Sequence, residues 1–326
     1  MTVLTLRADR DGERADALLT RLVPDLTRSG AQRLLERGAV TSDGKPVRKN
    51  DRPAPGDVLE VALPDPEPVD VVPQNIPLDV VYEDGDVIVV NKPAGLVVHP
   101  GHGNWTGTLV NALAWHFRDT PDYDVNDPRL GLVHRIDKDT SGLLVIAKTP
   151  EAKTDLGKQF FNKTTRREYV AMIWGSMPER QGTITGSIAR NPRNALQMAV
   201  MSDPSKGKHA VTHYEVLEDF GYVSIVKCVL ETGRTHQIRV HFQHKGHPLF
   251  NDERYGGHRV LKGTPTAKYK QFVDNCFELC PRQALHARTL GFRHPETGKE
   301  MDFEAPLPPD MENLFEKWRR FRSDTC

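Results

Sequence analysis

The 326-residue sequence lacks the features that mark several large classes of protein. No apolar run approaches the roughly 20 residues that a membrane-spanning helix needs. The first ten residues have no cationic segment before an apolar stretch, so we expect neither a membrane span nor a signal peptide. Four cysteines are too few for a disulfide scaffold of this length, which favours a reducing cytoplasm. The sequence has no Walker motif and no dinucleotide-binding fingerprint.

Net charge is also absent, because 44 Lys and Arg balance 44 Asp and Glu. This balance is a cancellation, since residues 64–90 hold seven acids and no Lys or Arg, and residues 91–326 sum to +6. Six of the basic side chains crowd into residues 148–167. A solvated helix face would explain such a run, but the segregation also keeps an RNA-binding surface possible.

Proline marks the boundary between two predicted units. Five prolines fall within residues 64–77, and proline at this density resists both helix and central strand. We therefore predict a small N-terminal unit at 1–63, a Pro-rich acidic linker at 64–77 and a large C-terminal unit at 78–326.

The small unit has the pattern of two short helices followed by a hairpin. Apolar residues within 15–22 and 31–35 repeat at helical spacing, Pro24 ends the first helix, and Thr27 or Ser29 can cap the second. Val40, a turn at 42–45 and Val47 indicate the hairpin. This order resembles the S4 RNA-binding domain, and a small structural helical subdomain is the alternative. Four basic side chains could line one face: Arg28, Arg33, Arg37 and Lys45.

The large unit alternates short apolar strands with a few helices. This order predicts an α+β fold with a mixed or antiparallel sheet. Helices are predicted at 155–161, 235–245 and 310–319. Strands are predicted at 87–90, 130–133, 143–147, 169–173, 183–188, 212–216, 223–230, 287–293 and 300–303, the last two forming a hairpin.

The densest polar cluster runs from His134 to Gly142, between two of the predicted strands. An ordinary hairpin does not need nine residues dominated by charge and hydroxyl groups. Asp137 lies on this loop near a strand end, where catalytic groups are often found. Arg135 could pair with a phosphate or a carboxylate. The alternative is a polar loop with an internally bonded Asp turn.

A second cluster lies at residues 231–241, where Gly233 permits a tight turn and Thr235 can cap the following helix. Arg239 lies about one turn into that helix and could bring a fixed cation to a carboxylate, which lowers the carboxyl pKa. A capped helix with surface arginines is the alternative. Tyr169, next to Arg166 and Arg167, suits a stacked base and a bound RNA backbone, although a strand tyrosine often belongs to a core.

Together these segments resemble the ribosomal-RNA pseudouridine synthase family, in its A-type branch. The family signature His-Arg-Leu-Asp-x-x-Thr-Ser-Gly is matched from His134 to Gly142, with Ile136 in place of Leu. Further family blocks match residues 91–95, 167–169 and 233–239. The segment His99-Pro100-Gly101-x-Gly103 is most similar to the D-type subgroup, which modifies the large-subunit stem-loop that faces the decoding centre.

The resemblance implies isomerisation of uridine in 23S rRNA of the large ribosomal subunit or its precursor, in the helix 69 loop. It implies that Asp137 is the catalytic aspartate, that Arg239 pairs with it and that Tyr169 packs on the target base. Arg135 corresponds to the residue that fills the gap left by the extruded uridine. No metal or organic cofactor is required, and we expect a monomer. The residues expected to bind RNA are Arg28, Arg33, Arg37, Lys45, Arg166 and Arg167.

Other functions remain open at this stage. One is a non-catalytic RNA-binding factor for ribosome assembly, and another is a synthase for a different rRNA or tRNA site. A metal-dependent hydrolase is suggested by thirteen histidines, among them His236, His241 and His244. Cys276 and Cys280 are one helical turn apart, but no second cysteine pair accompanies them, so a zinc site is weakly supported.

Overall fold

Two units make up the chain, Met1–Val69 and Asp70–Cys326. The computed structural model describes residues 2–23, 26, 28–63, 71–101, 104–120 and 131–323. Residues 64–70 of the predicted linker lie outside the described residues, as do Pro24 and Thr27.

The N-terminal unit places two helices beside a four-stranded sheet, so the predicted helix pair and hairpin are confirmed. The sheet order is β1-β4-β2-β3. The hairpin turn has positive φ at Asp43 (50°) and Gly44 (72°), as a type I′ turn requires. The elements are β1 (Thr2–Arg7), α1 (Ala15–Leu22), α2 (Arg28–Glu36), β2 (Val40–Ser42), β3 (Lys45–Pro46) and β4 (Val58–Leu63).

A ten-stranded sheet forms the centre of the second unit, in the order β10-β9-β11-β12-β8-β13-β7-β6-β5, with β14 paired to β13. Only β7 and β13 pair in parallel among the described strands, so the predicted α+β fold with a mixed sheet is confirmed. The strands are β5 (Val80–Glu83), β6 (Val87–Lys92), β7 (Ser141–Ala147), β8 (Arg166–Trp174), β9 (Gln181–Asn191), β10 (Asn194–Met201), β11 (Lys208–Asp219), β12 (Val223–Leu230), β13 (Leu285–Arg293) and β14 (Glu300–Glu304).

Helices cover both faces of this sheet, which explains why many of its strands are continuous apolar runs. On one face, α3 (Leu109–His116) and α5 (Gln237–His244) bury side chains such as Leu113 and Phe242. On the other face lie α4 (Pro150–Phe161), α6 (Ala267–Leu279) and α7 (Pro309–Ser323). Alternation along β8 sends Tyr169 and Ala171 to the first face and Val170 to the second.

The predicted strand at 130–133 is wrong. Residue 130 lies outside the described residues, and residues 131–133 form only one isolated bridge, between Leu132 and Ile146. The edge of β7 that faces this segment is bonded in another way: the Val145 amide donates to Nε2 of the His134 side chain at 3.0 Å, and the Ala147 amide donates to the Gly131 carbonyl at 3.0 Å. A side chain therefore takes the place of the backbone partner that a strand would supply.

Gly142 lets β7 and β13 approach each other at the end of the polar loop, which comprises residues 134–142. Its φ is +116°, and a Cβ there would lie 2.1 Å from the carbonyl oxygen of Ala287. A side chain at this position would therefore be strained in its backbone and would also collide with the backbone of the partner strand.

We predict that Gly142→Ala lowers the free energy of unfolding by about 2–4 kcal/mol, from strain and overpacking together. Denaturant titration followed by tryptophan fluorescence measures this, since all four tryptophans lie in the second unit: Trp105, Trp115, Trp174 and Trp318. Gly85→Ala is the matched control, because nothing lies within 4 Å of its added Cβ. Equal stability of the two variants would contradict the prediction.

Three histidines are buried inside the second unit, and two of them, His241 and His286, contact a hydroxyl group. The Nδ1 atom of each lies 2.9 Å from a hydroxyl oxygen, that of Thr212 and Ser141 respectively. Burial lowers the pKa of both imidazoles to about 4. The folded protein therefore keeps these rings neutral at pH values where an unfolded chain protonates them.

We predict that the second unit loses about 2–4 kcal/mol of stability between pH 7 and pH 5 from His241 and His286 alone, because unfolding takes up protons at both. Burial also lowers the pKa of His134 to about 3 and that of His236 to about 4, so these two rings add to the loss. The loss begins near the unfolded pKa and continues until the pH reaches the folded pKa near 4. The same tryptophan-monitored titration, repeated across this range, measures it. An unfolding free energy that stays constant from pH 7 to pH 5 would show that these histidines are protonated in the folded state.

Candidate active site

Three separate segments of the second unit converge on a cavity of about 120 Å³. The polar loop, strand β8 and the start of α5 each contribute to its wall. Of the residues predicted from the sequence, five line this cavity: Arg135, Asp137, Arg167, Tyr169 and Arg239. The polar loop, strand β8 with Tyr169 and helix α5 with Arg239 are therefore parts of one site.

Asp137 and Arg239 form an ion pair in this cavity, although 102 residues separate them. The Nη1 of Arg239 donates to Oδ2 of Asp137 at 2.9 Å. The Asp137 side chain keeps 21% of its surface exposed, whereas that of Arg239 keeps only 7%. The carboxylate thus faces the cavity with one oxygen held by a buried cation.

Asp252, which sequence reasoning did not identify, holds the other side of Arg239. Its oxygens accept from Nε at 2.7 Å and from Nη2 at 2.9 Å, and its side chain has no exposed surface. Burial disfavours the charge on Arg239, but the hydrogen bonds and charges of Asp252 and Asp137 outweigh burial and raise the pKa of Arg239. The guanidinium is therefore fixed in charge and in orientation.

The side chain of Gln237 fixes the start of α5, and the prediction that Thr235 caps this helix is wrong. The helix begins at Gln237, after His236 with a φ of 55° and no capping side chain. Oε1 of Gln237 accepts from the Thr232 hydroxyl at 2.8 Å and from the Arg234 amide at 3.0 Å. Its Nε2 donates to the Val211 carbonyl on β11 at 2.9 Å, which anchors the helix that carries Arg239.

His236, which the sequence suggested as a metal ligand, lies instead beside Oδ1 of Asp137, the oxygen that Arg239 does not contact. Its Nδ1 is 2.7 Å from the Tyr255 hydroxyl, which accepts from the Met198 amide at 3.0 Å. The Nε2 atom of the ring lies 3.8 Å from Oδ1 of Asp137. Burial lowers the pKa of His236 to about 4, so the ring is neutral near pH 7.

Two buried basic side chains, those of Lys92 and Arg282, bond to backbone carbonyls of the polar loop. The Nζ of Lys92 donates to the carbonyls of Pro93, Leu96 and Lys138 at 2.7, 2.9 and 2.9 Å. Burial lowers the pKa of Lys92 to about 7. Arg282 donates to the Asp139 carbonyl at 3.0 Å. These bonds connect the residues 92–96 to the polar loop and hold the backbone on either side of Asp137.

Tyr169 supplies an aromatic wall to the cavity. It lies in β8 opposite Cys228 and Ala287 of the neighbouring strands, with 8% of its surface exposed. Burial raises the pKa of Tyr169, so its hydroxyl stays protonated near neutral pH. The buried ring thus lines the same cavity as Asp137.

The remaining predicted RNA-binding residue of the second unit, Arg166, does not line this cavity. Arg166 points away from it and pairs with Glu300 and Asp302 of β14, at 2.8 Å each. Arg28 donates to the buried Asp16 at 3.2 Å within the N-terminal unit. The other three lie exposed in that unit: Arg33, Arg37 and Lys45.

The residues that suggested a zinc site do not form a cluster of three or more metal ligands within the described part of the chain. The cluster found there consists of Asp84, Asp86 and His294. Its histidine is already bonded, since Nε2 lies 2.8 Å from Asp84 and Nδ1 accepts the Thr297 amide at 3.1 Å. Among the described residues no helix is long and apolar enough to cross a membrane.

Comparisons with known proteins point in one direction. A family model described as RNA pseudouridylate synthase matches residues 86–244, and an S4 domain model matches residues 13–59. The chain is 46% identical to an uncharacterized RNA pseudouridine synthase of Chlorobaculum parvum, over 94% of both chains. It is also 46% identical to a ribosomal large subunit pseudouridine synthase D of Neisseria meningitidis, over 95% of this chain and 80% of that one.

A solved structure shares the fold. Human RNA pseudouridylate synthase domain containing 1 superposes with a TM-score of 0.53 at 26% identity, over 77% of this chain and 90% of that one. The resemblance to an S4 domain and to the synthase family, first seen in the sequence motifs, is therefore confirmed.

We predict losses of stability of very different size for the two carboxylates that contact Arg239. Asp252→Asn leaves a buried guanidinium without its main counter-charge and should lower the free energy of unfolding by about 3–5 kcal/mol. Asp137→Asn leaves the buried pair intact and should cost less than about 1 kcal/mol. Denaturant titration measures both, with Glu253→Gln as an exposed neighbouring control. Equal losses would mean that Asp137 is a structural partner of Arg239.

Proposed function

The chain belongs to the RNA pseudouridylate synthase family and is an RNA isomerase; we propose that it acts on large-subunit ribosomal RNA and that Asp137 carries the chemistry. The observation that supports this best is the Asp137–Arg239 pair beside Tyr169 in one small cavity. Support for the substrate comes from relatives named ribosomal large subunit pseudouridine synthase D in Neisseria, Zymomonas and Xanthomonas, which are 43–46% identical over most of this chain.

The reaction needs an ionised carboxylate at the glycosidic bond. The bond from C1′ of the ribose to N1 of uracil breaks, and a bond from C1′ to C5 forms. The proton on C5 is lost and N1 gains one, so there is no net oxidation or hydrolysis. Two routes start from Asp137: attack on a sugar carbon, or removal of a sugar proton. Both require the charged carboxylate that Arg239 stabilises.

The other residues of the cavity have roles that follow from their positions. Tyr169 offers a ring against which the extruded uracil stacks, and Arg239 holds Asp137 in place. Arg135 is exposed at the edge of the cavity, where it can fill the gap that the flipped uridine leaves in the RNA. Flipping costs a few kcal/mol of lost stacking, which such a replacement partly offsets.

We place the target uridines in the helix 69 loop of 23S rRNA, within the large subunit or its precursor. The proposal relies on the segment His99-Pro100-Gly101 and on the relatives of the D subgroup. The S4 unit would bind RNA through its exposed Arg33, Arg37 and Lys45, with Arg28 held by Asp16. The free buried thiols of Cys228, Cys276 and Cys280 agree with work in a reducing cytoplasm.

We predict that the purified protein forms pseudouridine in unmodified 23S rRNA and that Asp137→Asn lowers this rate by at least about 10³-fold. RNA affinity should change less than about threefold, because the variant keeps the shape of the side chain and every arginine. Chemical mapping of pseudouridine measures the first quantity and filter binding the second. Asp139→Asn, in the same loop, is the matched control and should keep its activity.

Two results would contradict the proposal. Full activity of the Asp137→Asn variant would remove Asp137 from the chemistry. Pseudouridine formed only in tRNA, or elsewhere in rRNA, would keep the enzyme class but replace the proposed substrate.

A further inference from the structure

A second and larger cavity adjoins the catalytic one. Its volume is about 650 Å³, and it extends over the end of α4 and the start of the polar loop. Both cavities share four lining residues, Arg135, Arg167, Gly233 and Arg234, so they meet along a common wall. The isomerisation of one uridine uses only the first cavity, which leaves the second without an assigned ligand.

Arg167 in this common wall is a buried cation without a counter-charge among the described residues. Only 7% of its surface is exposed. Its Nε has no hydrogen-bond partner in the described part of the chain, and Nη2 lies 3.5 Å from the Leu230 carbonyl, at the limit of a hydrogen bond. An uncompensated buried charge is unfavourable, so this arrangement is typical of an arginine that binds an anionic ligand. Phosphate oxygens suit the planar guanidinium best.

Arg234 brings a second cation to the same wall. Its Nε donates to the His209 carbonyl at 3.0 Å, which fixes the side chain. Gly233 allows the close approach, because a Cβ at that position would lie 3.0 Å from Nη1 of Arg167. The absence of a side chain at Gly233 therefore leaves room for Arg167 in the wall that Arg234 also lines.

Phe161 lies at the rim of the second cavity with 86% of its surface exposed. The preceding residue behaves differently, since the Phe160 ring stacks on His134 at 4.4 Å and lies beneath the guanidinium of Arg167. A large apolar ring in water has no folding advantage. An exposed aromatic ring next to arginines is the combination that binds unpaired RNA, with the base on the ring and the phosphate at the cations.

We propose that the second cavity binds the nucleotide adjacent to the target uridine, its base stacked on Phe161 and its phosphate at Arg167 and Arg234. This inference rests on the proposed function, because it requires the target uridine in the first cavity. The occupant is one unpaired nucleotide of the same RNA strand, since the two cavities share a wall. The site would select targets in loops, where the neighbouring base is free to stack on protein.

The test is a binding cycle between protein and RNA. A stem-loop RNA containing the target uridine is prepared with an abasic nucleotide at each adjacent position in turn. At one position the abasic RNA should bind the wild-type enzyme about 5- to 100-fold more weakly. Phe161→Ala should weaken binding of the intact RNA by a similar factor, and the two changes together should cost no more than either alone.

Matched variants separate stacking from general disturbance. Phe161→Trp should restore binding, because it keeps an aromatic surface. Leu196→Ala removes another exposed apolar side chain, one that lines neither cavity, and should have no effect. A neutral methylphosphonate at the adjacent phosphate should weaken binding to the wild-type enzyme and have little further effect on Arg234→Gln.

Independent losses from Phe161→Ala and from the abasic nucleotide at every adjacent position would overturn the inference. This failure is distinct from failure of the proposed function. An enzyme that forms pseudouridine without the coupling refutes only the second cavity's role. If the enzyme forms no pseudouridine in any of the rRNAs, both the proposed function and this inference are refuted.

Discussion

The site depends on one interaction, the buried pair between Arg239 and Asp252. Two parallel hydrogen bonds to a fully buried carboxylate fix the guanidinium, and its remaining nitrogen then meets Asp137. If Arg239 had only Asp137 as a partner, the carboxylate that we propose as catalytic would also have to neutralise a buried charge. Asp252 takes over that role, and Asp137 keeps 21% of its side-chain surface exposed in the cavity. We therefore expect the loss of Asp252 to destabilise the whole second unit.

The surrounding fold positions Arg239 and Asp137 so that their side chains meet. Gln237 attaches the start of α5 to β11, and Lys92 attaches the polar loop to the residues that follow β6. Strand β8 contributes through its alternation: Arg167 and Tyr169 lie on the face that holds the cavity, whereas Arg166 points to the acids of β14. Two adjacent arginines in the sequence therefore have different partners, one an ion pair within the protein and the other, as we propose, an RNA phosphate.

Local patterns in the sequence predicted much of the fold, and long-range contacts explain most of what they missed. The strand at 223–230 and the hairpin after Val40 follow from apolar runs and turn residues alone. Helix α3 was missed because residues 109–114 are all buried and show no amphipathic period, although the Thr108–Asn111 capping box marks its start. Asp252 gave no local signal, since its partner is reached only in the folded chain. The alternation of β8, by contrast, could have separated Arg166 from Arg167 in advance.

The central claim is that Asp137, held by Arg239, isomerises uridines in the large-subunit rRNA of the cell. Mapping pseudouridines in total RNA from a strain without this gene tests it most directly, with the gene restored as wild type or as Asp137→Asn. The account predicts that pseudouridines disappear from the helix 69 loop of 23S rRNA, and that only the wild-type gene brings them back. Unchanged modification of that loop in the strain without the gene, or its restoration by the Asn variant, would contradict the account.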